Sequence, residues 1–114
     1  MSAVADVIDA RLAAYRARNL EAFLACYAAD VLIGDGDGNV VVRGRENMRE
    51  CWAFLATSPN LLLEIPQRIE VGNVVIDEEL IDGIVVEEVE QPQQHVVTIY
   101  RVTDSLISNV TFLR

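Results

Sequence analysis

Residues 27–46, YAADVLIGDGDGNVVVRGRE, hold the side chain best suited to acid-base chemistry. Asp35 directly follows the apolar run Val31-Leu32-Ile33 and opens the turn Asp-Gly-Asp-Gly-Asn. A carboxylate at the end of a strand can point into the interior, where it can act as a general base. The same sequence also fits a plain surface turn, because Asp-Gly is a favoured turn pair.

A calcium loop is a third interpretation of this segment. Aspartate, asparagine and glutamate occupy four of the usual ligand positions. However, the sixth position needs a glycine for its sharp turn and holds Val40, while Arg43 and Arg45 would repel a cation. We therefore predict no metal site here.

The first half of the chain carries helical patterns that would position Asp35. Apolar residues at three- and four-residue spacing predict a helix over residues 3–17, with Ser2 as a possible N-cap and Arg11 on the inward stripe. We predict a second short helix from Asn19 through Tyr27. A third helix over residues 45–56 would turn Trp52 inward and end before Pro59.

The second half is rich in strand-forming residues. Segments 61–72, 73–82, 83–90, 95–102 and 106–113 predict four or five strands of one curled antiparallel sheet. In the fourth of these, Thr98 should share the inward face with Tyr100, and His95 should point outward. Helices followed by strands indicate an α+β fold, with three helices on one sheet face in a single domain over residues 1–114. Because both faces carry apolar residues, we predict a homodimer through the sheet.

Composition excludes several partners. The 114 residues carry a net charge of -9, with nine arginines and no lysine, so the surface should repel nucleic acid. No stretch reaches the roughly 18 apolar residues of a membrane span, and the acidic N-terminal segment does not fit a signal peptide. Two cysteines in helical patterns suit a reducing, cytoplasmic setting.

The segments DARLAAYRARNLEAFLACYAAD, VLIGDGDGNVVVRGRE and YRVTDSLISNVTFLR, in this order, make the chain similar to the nuclear transport factor 2-like superfamily. That superfamily includes ketosteroid isomerase and the SnoaL-like polyketide cyclases, and the resemblance covers essentially the whole chain. It implies a cone-shaped, cystatin-like roll, with helices on a strongly curved sheet and an apolar pocket at one end. It implies no cofactor.

The resemblance to ketosteroid isomerase also implies roles for individual residues. Asp35 matches the general base, and Tyr27 matches a supporting tyrosine. At three other positions the chain departs from the isomerase: Arg11 replaces the oxyanion-binding tyrosine, Thr98 replaces the neutral aspartic acid, and Trp52 replaces a third tyrosine. A faithful steroid isomerase is therefore not expected.

Arg11 is open to three interpretations. It can pair with Asp35 and weaken that base, hold an oxyanion or an anionic substrate, or extend from the helix edge to the surface. The function we predict is the binding of a small hydrophobic carbonyl compound, with proton transfer by Asp35. Arg11 and Tyr27, with Tyr15 or Thr98, would hold the oxygen, while Trp52 and Tyr100 would form the wall. The alternative is a non-catalytic ligand-binding or dimerisation module.

Overall fold

The computed structural model describes residues 3–114, beginning with two helices. Helix α1 spans Ala3–Arg16, one residue short of the prediction, while the predicted N-cap Ser2 lies outside the described residues. Helix α2 spans Leu20–Leu24, and the Asn19 side chain caps it by accepting a hydrogen bond from the Ala22 N–H at 3.1 Å. The prediction that this helix reaches Tyr27 is wrong. Tyr27 already pairs with a strand from the other end of the chain, and that tertiary pairing overrides the local helical pattern.

A hairpin and two short helices follow. Strand β1 spans Tyr27–Asp35, and strand β2 spans Val40–Arg43. The turn between them has Gly38 in the left-handed region at φ 87°, which agrees with the predicted Asp-Gly turn. Instead of one helix over residues 45–56, the chain forms α3 at Arg45–Cys51 and α4 at Phe54–Thr57. The hydrogen bonds tighten to three-residue spacing after Trp52, and this breaks the helix.

The remaining chain forms six strands: β3 Leu62–Val71, β4 Val74–Asp82, β5 Val85–Val86, β6 Val89–Glu90, β7 Gln94–Thr103 and β8 Leu106–Leu113. A six-stranded sheet has the order β2-β1-β8-β7-β4-β3. The predicted strand over residues 83–90 is instead the separate two-stranded hairpin β5–β6. The sheet also departs from the expected antiparallel pattern at one place, because β1 and β8 are parallel.

The helices cover one face of the curved sheet, so the predicted α+β fold is confirmed. Side chains alternate along β7, where Thr98 and Tyr100 are buried against the helices and His95 is exposed, as the sequence predicts. The other face remains uncovered in the monomer and is partly apolar, with Ile69 57% exposed and Ile76 partly exposed. Within residues 3–114, none of the helices is long and apolar enough to cross a membrane.

Candidate ligand-binding site

An open cavity of about 860 Å³ lies between the helices and the concave face of the sheet. Its walls are mostly aromatic and aliphatic: Trp52, Phe54, Ile81, Ile84, Val96 and Phe112. Its most buried lining residues with polar side-chain atoms are Arg11, Tyr15 and Glu79, at 3%, 2% and 1% exposure, and we call them the cavity floor. The exposed lining residues, which include Asp37 and Val41, form the mouth. The cavity is thus apolar along its walls and ionic at its floor.

The floor is held by an ion pair between α1 and β4. Arg11 Nη1 lies 3.3 Å from Glu79 Oε2, and Arg11 Nε donates to the Tyr27 hydroxyl at 3.1 Å. The Thr98 and Tyr100 hydroxyls each donate to Glu79, at 2.8 Å, one to each carboxylate oxygen. Glu79 therefore accepts three hydrogen bonds, which offset the cost of removing its charge from water.

Aromatic rings surround the Arg11 guanidinium. Its Cζ atom lies 5.3 Å from the ring centroid of Tyr15, 5.4 Å from that of Phe23 and 5.1 Å from that of Tyr100. Cation–π attraction at such distances stabilises a desolvated guanidinium and fixes its plane. The interpretation that Arg11 extends to the surface is wrong.

Secondary-structure periodicity places these groups together. Arg11 lies on the inward stripe of α1, and Glu79 lies on the inward face of β4 between Val75 and Ile81. Strands β4 and β7 pair with Asp77 opposite Thr98, so the inward Thr98 and Tyr100 of β7 reach the Glu79 carboxylate. Tyr27 enters the group as the first residue of β1.

Burial and neighbouring groups together shift the pKa values of Arg11 and of the tyrosines that contact the floor. Burial alone would lower the pKa of Arg11, but nearby Tyr100, Tyr27 and Glu79 outweigh it and raise that pKa well above the usual value. Burial also raises the pKa of Tyr27 and of Tyr100, although the positive charge of Arg11 opposes both shifts. At neutral pH the guanidinium is charged, and both tyrosines are neutral hydroxyls.

One nitrogen of Arg11 has no hydrogen-bond partner in the part of the chain that the structure describes. Among residues 3–114, Arg11 Nε and Nη1 donate hydrogen bonds, but Nη2 donates to no protein atom. The side chain is only 4% exposed, yet the described residues contain no fully buried side-chain nitrogen or oxygen that lacks a partner. Nη2 therefore keeps some accessible surface, and it belongs to a residue that lines the cavity.

Asp35 lines the cavity and is partly exposed, and its carboxylate accepts hydrogen bonds from its own turn. Its Oδ1 accepts from the backbone N–H groups of Asp37 at 2.9 Å and Asn39 at 3.0 Å, and its Oδ2 accepts from Asn39 Nδ2 at 3.0 Å. The hydrogen bonds from Asn39 lower the pKa of Asp35 below its usual value. Arg11 pairs with Glu79 and not with Asp35, so the interpretation that Arg11 weakens this base by pairing with it is wrong.

The other predicted site residues divide into two groups. Tyr15 and Trp52 line the cavity. Tyr27, Thr98 and Tyr100 are not part of the lining, and they contact the floor through their hydroxyl groups.

Glu79 was missed in the sequence analysis. The usable signal was a carboxylate at an inward position of a strand, in a chain whose Arg11 also falls on an inward helical stripe. In residues 3–114, no three histidine, cysteine, aspartate or glutamate side chains cluster so that they could hold a metal ion.

Comparisons with known proteins agree with this architecture. The family model described as the SnoaL-like domain matches residues 8–110. An uncharacterised cystatin-fold protein from Novosphingobium aromaticivorans is 26% identical with a TM-score of 0.85, covering 100% of this chain and 99% of that one. No functionally curated protein has a significantly matching sequence.

Two further solved structures share the fold at lower identity. A computationally designed 17-OHP binder is 17% identical with a TM-score of 0.78, and the match covers 98% of this chain and 93% of that one. A Catenulispora acidiphila protein with a ketosteroid isomerase-like fold, in complex with trimethylamine, is 22% identical with a TM-score of 0.70. That match covers 93% of this chain and 82% of the other. At these identities the likeness extends to the fold alone.

Proposed function

Because this chain belongs to the SnoaL-like domain family, whose fold encloses a cavity here, we propose that it binds a small hydrophobic carbonyl compound. One observation carries the proposal: at the floor of a mainly apolar cavity lies a buried guanidinium whose Nη2 donates to no atom of residues 3–114. Cavities with apolar walls and a few fixed polar groups are typical ligand sites. A carbonyl oxygen is a suitable acceptor for that donor.

The walls and the floor would contribute differently to binding. Burial of the ligand's apolar surface against Trp52, Phe54 and Phe112 supplies affinity, at roughly 25 cal/mol per Å² removed from water. A hydrogen bond to a charged donor is worth about 1.5–3 kcal/mol and is directional. The floor therefore orients the ligand, with its oxygen at Arg11.

Proton transfer on the bound ketone is the second candidate function. It is supported by Asp35 in the lining and by Arg11, whose positive charge would stabilise a developing enolate oxygen. Against it, the turn hydrogen bonds of Asp35 lower its pKa and make it a weak base. Binding without turnover is thus the better supported function.

Trp52 provides a direct binding assay, because it is the only tryptophan of the chain and lines the cavity. Titration with 1-adamantyl methyl ketone should change its fluorescence, and Arg11→Met should weaken binding about tenfold or more. The matched control is Arg68→Met, since Arg68 also pairs with a buried carboxylate but lies outside the cavity lining. Equal affinity in wild type and Arg11→Met would contradict the assignment of Arg11 to the ligand.

The same ketone tests proton transfer, because its acetyl protons exchange with solvent through an enolate. In deuterated buffer, NMR should show exchange catalysed by wild type and reduced by Asp35→Asn if Asp35 is the base. Exchange at the uncatalysed rate in wild type would leave binding as the function. Exchange at an unchanged rate in Asp35→Asn would assign the proton transfer to another group.

Two further proposals concern assembly and location. The apolar outer face, where Ile69, Ile76 and Ile99 lie side by side across β3, β4 and β7, supports a homodimer through the sheet. A monomeric mass by light scattering at micromolar concentration would contradict it.

The free thiols Cys26 and Cys51 are consistent with a reducing cytoplasmic location, which fractionation of the source cells would test.

A further inference from the structure

The negative charge of Glu79 neutralises the positive charge of Arg11 at the cavity floor. Glu79 carries the only carboxylate in hydrogen-bonding contact with Arg11 among residues 3–114, and both side chains are almost completely buried. Its carboxylate also accepts from Thr98 and Tyr100, so its orientation is fixed from three directions. The guanidinium that faces the cavity is therefore a hydrogen-bond donor whose positive charge is already neutralised.

The other charged residues of the lining do not give the cavity a net positive charge. Besides Glu79, the lining carries the carboxylates of Asp35 and Asp37, against the guanidinium groups of Arg11 and Arg114. Three negative and two positive groups thus surround the cavity, in a protein whose net charge is -9. An anionic head group placed against Nη2 would also lie close to the Glu79 carboxylate, and like charges in a desolvated site repel strongly.

A cationic head group fits no better, because at the floor it would meet a guanidinium that is itself positively charged, and the Tyr15 hydroxyl beside it is neutral. A neutral acceptor is the remaining class. It accepts from Nη2, carries no net charge into the desolvated interior, and leaves the Arg11–Glu79 pair intact.

We propose that Glu79 is a specificity-determining residue that restricts the cavity to ligands with an uncharged hydrogen-bond acceptor, by neutralising Arg11. The residue acts through Arg11 and does not contact the ligand oxygen. This inference rests on the proposed binding function and names the chemical class of head group that the site accepts. A ketone, ester or amide oxygen belongs to that class, and a carboxylate does not.

A pair of matched probes tests the inference. 1-Adamantyl methyl ketone and adamantane-1-carboxylate have nearly the same shape and differ in the charge of the head group. Their dissociation constants would be measured by calorimetry at pH 7 for wild type, Glu79→Gln and Asp77→Asn. Asp77→Asn is the matched control, because Asp77 lies two residues away on the same face of β4, is equally buried and is not part of the lining.

Wild type should bind the ketone at least tenfold more tightly than the carboxylate. Glu79→Gln leaves the charge of Arg11 uncompensated, so the carboxylate should gain about tenfold or more in affinity relative to the ketone. Asp77→Asn should keep the wild-type ratio. Circular dichroism and thermal unfolding would establish that each variant is folded.

The outcomes separate this inference from the function on which it rests. An unchanged ratio in folded Glu79→Gln, or a wild type that prefers the carboxylate, would overturn the role of Glu79 while leaving ligand binding in place. The wild-type ratio alone decides the matter if Glu79→Gln does not fold. Binding of neither probe to wild type would overturn the proposed function and this inference with it.

Discussion

Strand β4 carries two buried carboxylates, Asp77 and Glu79, which point to the same face and have the same 1% exposure. Each pairs with one arginine, yet the two arginines differ in their remaining donors. Arg68 donates from Nε and Nη2 to Asp77 at 2.6 and 2.9 Å, and from Nη1 to Asp9 of α1 at 2.6 Å. Within residues 3–114, Arg11 Nη2 donates to no protein atom, and Arg11 lines the cavity.

The difference separates an ion pair that is saturated within the protein from the one that we propose for ligand binding. The Asp9–Arg68–Asp77 group engages every guanidinium nitrogen within the protein and ties α1 to the sheet. The Arg11–Glu79 pair ties the same helix to the same strand, but it retains a donor for a further molecule. Both groups contain a carboxylate of β4 that is 1% exposed, although the Arg68 side chain is 20% exposed and that of Arg11 only 4%. Unused hydrogen-bonding capacity at a residue of the cavity lining is the reason why we propose the Arg11–Glu79 pair for binding.

Removal of Arg11 should have the largest effect on stability. Arg11→Met leaves the Glu79 carboxylate buried without its cation, which should lower the free energy of unfolding by about 3–5 kcal/mol. Urea denaturation followed by circular dichroism measures this loss. A loss below about 1 kcal/mol would mean that Glu79 regains solvent in the variant.

The double variant Arg11→Met/Glu79→Leu serves as the control for that loss. Replacing both charges of a buried pair by apolar residues is often neutral or stabilising. The double variant should therefore recover most of the stability lost by Arg11→Met while losing the orienting hydrogen bond to the ketone. Losses that simply add would show that the two residues do not interact.

High pH should destabilise the surroundings of the Arg11–Glu79 pair. The three tyrosines of the chain, Tyr15, Tyr27 and Tyr100, all contact Arg11 or Glu79. Burial raises the pKa of all three above the usual value. Their contribution to stability is complete below the unfolded-state pKa of about 10 and is lost as the pH rises through the folded values. Absorbance at the tyrosinate band should therefore rise together with loss of circular dichroism.

Independent ionisation of any one tyrosine near its unfolded value, in protein that is still folded, would contradict this burial. The Asp9–Arg68–Asp77 group contains no tyrosine, so it contributes nothing to the alkaline transition.

Removal of Arg68 should cost less than removal of Arg11. Its side chain is 20% exposed, so water can reach part of the site that Arg68→Met leaves behind. We expect a loss of about 1–3 kcal/mol from the unpaired Asp77 carboxylate, with ketone affinity unchanged. Urea denaturation and calorimetry measure the two quantities, and a change in affinity would erase the distinction between the two ion pairs.

The smallest effect is expected at the mouth. Asn39→Ala removes the hydrogen bond from Asn39 Nδ2 to Asp35, so the pKa of Asp35 should rise toward its usual value. Because the folded pKa is depressed, the stabilising effect is present above the unfolded-state pKa and is lost as the pH falls through the folded value. NMR titration of the carboxyl carbon measures the shift, and an unchanged pKa would assign the depression to the backbone N–H groups.

The inward orientation of individual site residues could be predicted from the sequence more readily than the contacts between them. Helical spacing placed Arg11 on an inward stripe, and strand alternation placed Thr98 and Tyr100 inward. Alternation also places Glu79 inward, but its contact with Arg11 depends on how α1 crosses β4, which no local pattern encodes. The helical prediction for Tyr27 fails for the same reason, because its strand partner Ile107 lies far along the chain.

The position of β8 has a consequence for how this protein is made. Strand β1 borders β8 in parallel, and β8 in turn borders β7, so residues 106–113 join the two halves of the sheet. During synthesis, the helices and the β1–β2 hairpin leave the ribosome long before that strand exists. Contacts between such distant segments form slowly and leave apolar surface exposed meanwhile. The nascent chain therefore completes its cavity only after β8 emerges, and chaperones can act on it until then.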